Sequence, residues 1–216
     1  MSVENLDADS AQDLDLHIGE EHLGGYIPAK NEPTPSGLNR QHGDPATWSP
    51  RLWTWAYETL GVRSVLDVGC GEGHCAEFFR ELGCEVAGID GSQEAFRHSA
   101  IPEVHVIHDY VTGPYAPDRR YNLIWSCEFV EHVEERYCSN FLETFDKAGS
   151  KLLMLTHAAP GQPGWHHVNC QPESYWVAQM LTCGFVLDRP LTVRARAASE
   201  PGHFRARGLV FVRESC

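Results

Sequence analysis

The sequence predicts an α/β fold: a mostly parallel sheet of seven strands, with helices on both faces and an antiparallel hairpin at its C-terminal edge. Three observations carry that prediction. Short apolar runs alternate with helical patterns from residue 49 to residue 182, the signature of strand–helix–strand units. A glycine-rich turn, Val65-Leu-Asp-Val-Gly-Cys-Gly-Glu-Gly73, joins the first strand to a helix. The last 30 or so residues break the alternation with two strand-like runs.

Helical character begins at Ser49-Pro50, with Ser49 a candidate N-cap and Pro50 at the first helical position. Leu52, Trp53, Ala56, Tyr57 and Leu60 then recur at helical spacing. Ser64–Val68 reads as the first strand and Cys75–Leu82 as a helix. Glu85–Ile89 is the second strand, with a helix around Gln93–His98. Val104–Ile107 and Leu123–Ser126 are the next strands, followed by a helix over Glu134–Lys147. Lys151–Thr156 is the fifth strand, and Pro172 opens a helix that runs to Thr182. Phe185–Arg196 and Phe204–Arg213 both read as strands with no helix between them, so they are expected to pair antiparallel. On those strands Arg194, Arg196, Arg205 and Arg207 share a face, either solvated or turned toward an anionic substrate.

A chain of 216 residues suits one domain, placed here at residues 49–216. Residues 1–22 hold seven acids and no Lys or Arg, and read as a disordered acidic tail. Residues 23–48, rich in Gly, Pro and Asn, read as an extended segment or lid. Apolar residues at 42% and aromatics at 10% exclude a disordered protein. No apolar run approaches the ~20 residues that span a bilayer, and no basic n-region or apolar h-region opens the chain, so the expected location is cytoplasmic. Eight cysteines without a Cys-x-x-Cys pair read as reduced thiols rather than as a zinc site. The net charge of -13 disfavours a grip on long nucleic acid, as a bias rather than an exclusion, and the expected partner is a small-molecule or glycan acceptor. Nothing in the sequence sets an oligomeric state.

The glycine turn is the first chemical feature. Glycines let backbone approach a ligand, and the helix that follows presents unpaired N–H groups. The rival reading, a dinucleotide loop of the form Gly-x-Gly-x-x-Gly, fails because the third glycine is one position early and His74 stands where that motif needs Gly. The second strand ends at Asp90, about 20 residues on, where a carboxylate can accept ribose hydroxyls. The third runs into Asp109-Tyr110, suited to an adenine amino group and ring. Asp67, Asp90 and Asp109 thus line the crevice where open α/β sheets bind ligands. Asp67, Gly69, Gly71, Gly73, Asp90, Gly91, Ser92, Asp109, Tyr110 and Ser126 form the candidate cofactor set.

With these residues, positions 50–213 resemble the class I S-adenosylmethionine-dependent methyltransferases, most specifically at the loop and at Asp90. The resemblance implies a Rossmann-like sheet and S-adenosylmethionine as methyl donor.

The second feature follows the fourth strand, in Glu128-Phe-Val-Glu131-His132. Spacings of three and four put these side chains on one face of a helical turn. Two carboxylates and an imidazole so close repel unless something positive sits between them, and their donors suit Mg²⁺, Mn²⁺ or Zn²⁺. His167, with His166 as the alternative, is a fourth candidate from the loop after the fifth strand. The pattern resembles that of metal-dependent O-methyltransferases of the ubiquinone-biosynthesis and small-RNA 2′-O-methyltransferase types. That resemblance implies a cation held by Glu128, Glu131, His132 and His167, although no RNA-binding extension is present. A metal-free acid/base site, with His132 or His167 as base and Glu128 assisting, is an open alternative, as is a structural cluster. The expected reaction is O-methylation of a hydroxyl. N-methylation, a non-catalytic binding partner and a nicotinamide oxidoreductase are the rivals.

Overall fold

In the computed structural model, described over residues 44–214, the sheet has seven strands in the order β3-β2-β1-β4-β5-β7-β6. The strands are β1 Ser64–Val68, β2 Glu85–Asp90, β3 His105–Ile107, β4 Tyr121–Ser126, β5 Gly149–Leu155, β6 Phe185–Leu187 and β7 Leu209–Arg213. β1 to β5 are parallel, and β7 runs antiparallel to both β5 and β6. The helices are α1 Pro50–Leu60, α2 His74–Glu81, α3 Gln93–Arg97, α4 Cys138–Ala148, α5 Glu173–Thr182, α6 Arg189–Ala198 and α7 His203–Arg207. The expected tail at residues 1–22, and residues 23–43 of the expected lid, lie outside the described residues.

Alternation along the strands sorts side chains into two layers. Ile124, Leu153, Leu155 and Phe211 point to one face, where Phe141 and Phe145 of α4 and Trp176 of α5 cover them. Leu123, Trp125, Leu152, Met154 and Val210 point to the other, beneath Leu52, Trp53 and Ala56 of α1 and Phe79 of α2. Each large apolar side chain buried in these layers contributes about 1.5–3 kcal/mol. Strands covered on both faces read as continuous apolar runs, which made β1, β4 and β5 legible.

The C-terminal region departs from expectation. The antiparallel pair exists, with Phe185 opposite Arg213, but β6 stops at Leu187 and two helices separate it from β7. Asp188 caps α6 by accepting from the Leu191 amide at 2.8 Å, and Pro190 sits in the first turn. The run Thr192–Ala197 alternates as a strand would, yet Arg and Ala are strong helix formers. Packing settles the ambiguity: Leu191 and Ala195 bury against the α1 side of the sheet, and Phe204 of α7 stacks on Trp125 at 5.2 Å. The four arginines therefore share no strand face. Arg194 lies over Trp55, Arg196 donates to the Gly208 carbonyl, and Arg205 donates to the Ser199 carbonyl.

Smaller differences occur at two helix starts. Pro172 precedes α5 as its cap residue, and the α4 region opens with a 3₁₀ turn at Glu135–Tyr137 before regular helix begins at Cys138. The seven cysteines among the described residues are all free, as expected. No helix among the described residues is long and apolar enough to cross a membrane.

Candidate active site

A cleft of about 430 Å³ opens at the C-terminal ends of β1, β2 and β4, where the strand order reverses. At one end lies the glycine turn. Gly69, Gly71 and Gly73 all have positive φ (74°, 52° and 79°), which explains the residue type directly. Their surroundings differ. A Cβ on Gly69 would lie 2.4 Å from the Phe129 ring, and one on Gly73 would lie 2.5 Å from Ile101. Gly69 and Gly71 line the cleft, whereas Gly73 caps α2 behind it.

Asp90 organises this end. One carboxylate oxygen accepts the Gly71 amide and the other the Ser92 amide, each at 2.8 Å. Burial raises its pKa, and these amides together with the Gly91 amide oppose the rise. Ser92 spends its hydroxyl capping α3, accepting from the Ala95 amide at 3.1 Å. Asp67 is 3% exposed, and burial, with the charge of Asp90 adding to it, pushes its carboxyl up to about 8 against the Ala76 amide. Asp109 accepts the Val111 amide at 2.8 Å and stands exposed at the rim. Tyr110 reaches the cleft with little surface, because its ring packs on Phe129 and Phe141. Gly91 lines the cleft beside Asp109, but Ser126 does not: at the end of β4, its side chain is fully buried.

At the other end Glu128 and Glu131 meet, but the imidazole beside them is that of His167 and not that of His132, which the spacing had placed on their face. Glu128 adopts φ 52°, a conformation costly for a non-glycine residue. Thr156 holds it there: the Glu128 amide donates to the Thr156 hydroxyl at 2.7 Å, and that hydroxyl donates to Glu128 Oε1 at 2.8 Å. Glu131 is fully buried, and no well-aligned hydrogen bond reaches either carboxyl oxygen, although its own amide, the Phe129 backbone and the charge of His203 all act to lower its pKa. Burial first, then the neighbouring Glu128 charge, pushes it up to about 8. Donor atoms of Glu128, Glu131 and His167 all lie within 4.8 Å of one another. His132 stands beside this trio, with its ring 5.1 Å from that of His167 and Nδ1 3.1 Å from the His166 carbonyl oxygen. Burial lowers its pKa to about 4. His166, at φ 50°, lines the cleft wall but does not join the trio.

Two residues at this end, His203 and Asp44, were absent from the sequence-predicted set. His203, at the start of α7, places Nδ1 3.3 Å from Glu128 Oε2 and Nε2 2.8 Å from Asp44 Oδ2. Burial works against its charge, but the Asp44 hydrogen bond and the charges of Glu128, Asp44 and Glu131 outweigh it and raise the pKa. With strands expected at Phe185–Arg196 and Phe204–Arg213, His203 fell in the turn between them; a helix start after Pro201-Gly202 was the available cue. Trp48, Trp53 and Trp125 form an aromatic wall nearby. No Lys or Arg is among the described residues lining the cleft, so the four C-terminal arginines are not placed to hold an anionic substrate there.

The fold is that of the class I methyltransferases, and the chain belongs to the methyltransferase domain family, whose profile matches residues 37–172. Its curated relatives include the ubiquinone biosynthesis O-methyltransferase of Paraburkholderia phytofirmans, 30% identical over 93 residues. That match covers 38% of this chain and 39% of the relative. Among solved structures, the magnesium protoporphyrin IX methyltransferase of Synechocystis PCC 6803, with bound S-adenosylmethionine, aligns at TM-score 0.54 and 17% identity over 76% of each chain. A TehB-like methyltransferase from Corynebacterium glutamicum aligns at TM-score 0.55 and 17% identity, covering 76% of this chain and 87% of the other. At those identities the likeness is one of fold.

Proposed function

We propose that this chain is an S-adenosylmethionine-dependent O-methyltransferase acting on a hydroxyl of an uncharged small molecule or glycan, with a divalent cation held by Glu128, Glu131 and His167. The observation that carries the reading is Glu131: a fully buried carboxyl with no well-aligned hydrogen bond to either oxygen, converging on a second carboxylate and an imidazole. Such a group calls for a positive charge.

The donor end fits its proposed occupant. Asp90 has each oxygen engaged by one backbone amide and keeps acceptor capacity for ribose hydroxyls. Asp67, buried and pushed up to about 8, gains from a cationic ligand group beside the glycine turn. When bound, S-adenosylmethionine supplies a methyl carbon on a positively charged sulfur. The chain then has two tasks, to align the acceptor oxygen with that carbon and to ease removal of its proton. A bound Mg²⁺, Mn²⁺ or Zn²⁺ lowers the pKa of a hydroxyl that it contacts.

The acidic lining, with no Lys or Arg among the described residues, rejects phosphate and carboxylate acceptors. It supports an uncharged acceptor and disfavours nucleic acid. His132 is a poor general base because its pKa of about 4 lies far below a working pH near 7. We assign it the role of a neutral wall residue, which favours the cation reading over a metal-free one. The name of the ubiquinone-biosynthesis relatives agrees with oxygen as the acceptor atom.

The test has two parts. Calorimetry with S-adenosylhomocysteine and with NADH separates a methyl-donor site from a nicotinamide site, and NADH binding alone would sink the reading. Transfer of labelled methyl groups to a panel of phenols, catechols and sugars should then stop on exhaustive chelation and return with Mn²⁺. Undiminished transfer after chelation rules out the cation.

A further inference from the structure

Residues 44–48, ahead of α1, form part of the cleft wall and are tied down at several points. The Asp44 carboxylate accepts the Ala46 amide at 2.8 Å, and the Thr47 amide donates to the Asp44 carbonyl at 3.1 Å. Trp48 packs edge-on against Trp53 at 4.7 Å. Opposite them, Gly202 leaves room that no other residue would: a Cβ there would lie 2.3 Å from the Ala46 carbonyl oxygen. Asp44, Thr47 and Trp48 all face the cleft. His203 bridges this segment and the carboxylate cluster. Its two ring nitrogens face Asp44 Oδ2 at 2.8 Å and Glu128 Oε2 at 3.3 Å, while the other Glu128 oxygen takes the Thr156 hydroxyl.

We propose that Asp44 and His203 form a positioning pair that fixes the Glu128 carboxylate and, through the same imidazole, pins residues 44–48 across the acceptor end of the cleft. The part concerning Glu128 rests on the cation reading above. A carboxylate on a strained backbone needs both oxygens held if it is to present a fixed donor set, and outer partners of this kind commonly change metal affinity 10–100-fold. The pair also joins two tasks. A segment that loosens to admit an acceptor releases His203 from Asp44, and Glu128 loses an orienting contact at the same moment. Glu128 is thus held fully only when the wall is in place.

Two measurements on the full-length protein test this. Calorimetric titration of Mn²⁺ in the presence of S-adenosylhomocysteine should show about tenfold weaker binding for His203→Ala and a smaller loss for Asp44→Asn. S-adenosylhomocysteine affinity should stay within twofold of wild type in both variants, which shows that the fold is intact. Amide hydrogen exchange at Ala46, Thr47 and Trp48 should quicken in His203→Ala, in Gly202→Ala and in Glu128→Gln, with exchange in β1, β4 and β5 unchanged. Quickening in Glu128→Gln is the decisive signal, because His203 is the side chain that contacts both residue 128 and the segment. Unchanged Mn²⁺ affinity in His203→Ala, or unchanged exchange in Glu128→Gln, overturns the pair. Failure of the wild type to take up Mn²⁺ defeats the cation reading on its own, and the exchange result for Glu128→Gln then decides the pair.

Discussion

Glu131 makes the site's energetics measurable through pH. Its carboxyl is fully buried and raised from the ordinary 4.5 to about 8 by burial and by Glu128. The folded state therefore holds a proton that the unfolded chain has released throughout that window. The sign follows from linkage: stability is fully present below about pH 4.5, falls as pH rises, and has been lost once pH passes the folded value near 8. At 1.36 kcal/mol per pH unit the full displacement corresponds to about 5 kcal/mol, a large share of a typical domain's 5–15 kcal/mol. Asp67, raised from 3.8 to about 8, has the same sign, so the wild-type decline contains both groups. Glu131→Gln isolates one of them. It keeps the shape, cannot ionise, and should flatten the decline between pH 5 and 8.5 while leaving stability at pH 5 close to wild type. Urea denaturation of chelator-treated protein at several pH values measures both curves. Mn²⁺ should flatten the wild-type curve and leave that of the variant unchanged. Parallel curves for wild type and Glu131→Gln would refute the argument, because Glu131 would then ionise as freely in the fold as outside it.

Other consequences follow from single contacts. Asp90→Ala removes the acceptor of two loop amides and should weaken S-adenosylhomocysteine binding at least a hundredfold, about 3 kcal/mol, by calorimetry. Gly69→Ala places a Cβ 2.4 Å from the Phe129 ring at φ 74°, and should cost about 2 kcal/mol or more in urea denaturation. Asp188→Ala removes the cap of α6 and should cost about 1 kcal/mol by the same measurement.

The difference between what was legible and what was not lies in the range of the forces involved. The glycine turn, Asp90 and the order from β1 to α5 were legible because each rests on local physics. A strand buried on both faces must be apolar, a turn at positive φ selects glycine, and an acid three residues ahead of a helix start accepts nearby amides. Glu128, Glu131 and the His166-His167 loop were legible as a group, since both segments follow neighbouring parallel strands. Which of them converge was not. Positive φ at Glu128 and at His166 rotates those side chains, so that His167 joins the two carboxylates while His132 and His166 stand aside.

Local pattern decided least in the C-terminal 30 residues. Thr192–Ala197 fits a strand and a helix equally well, and only the uncovered sheet face at Trp125, Met154 and Val210 selects the helix, by burying Leu191, Ala195 and Phe204. That choice carries His203 to Glu128 and to Asp44, which lies 159 positions away in sequence. The sequence by itself thus determined the sheet and the donor end of the cleft, where partners lie within about 20 residues of one another. The tertiary structure decided the acceptor end, because its groups come from segments that meet only after the sheet has formed and its second face has been covered.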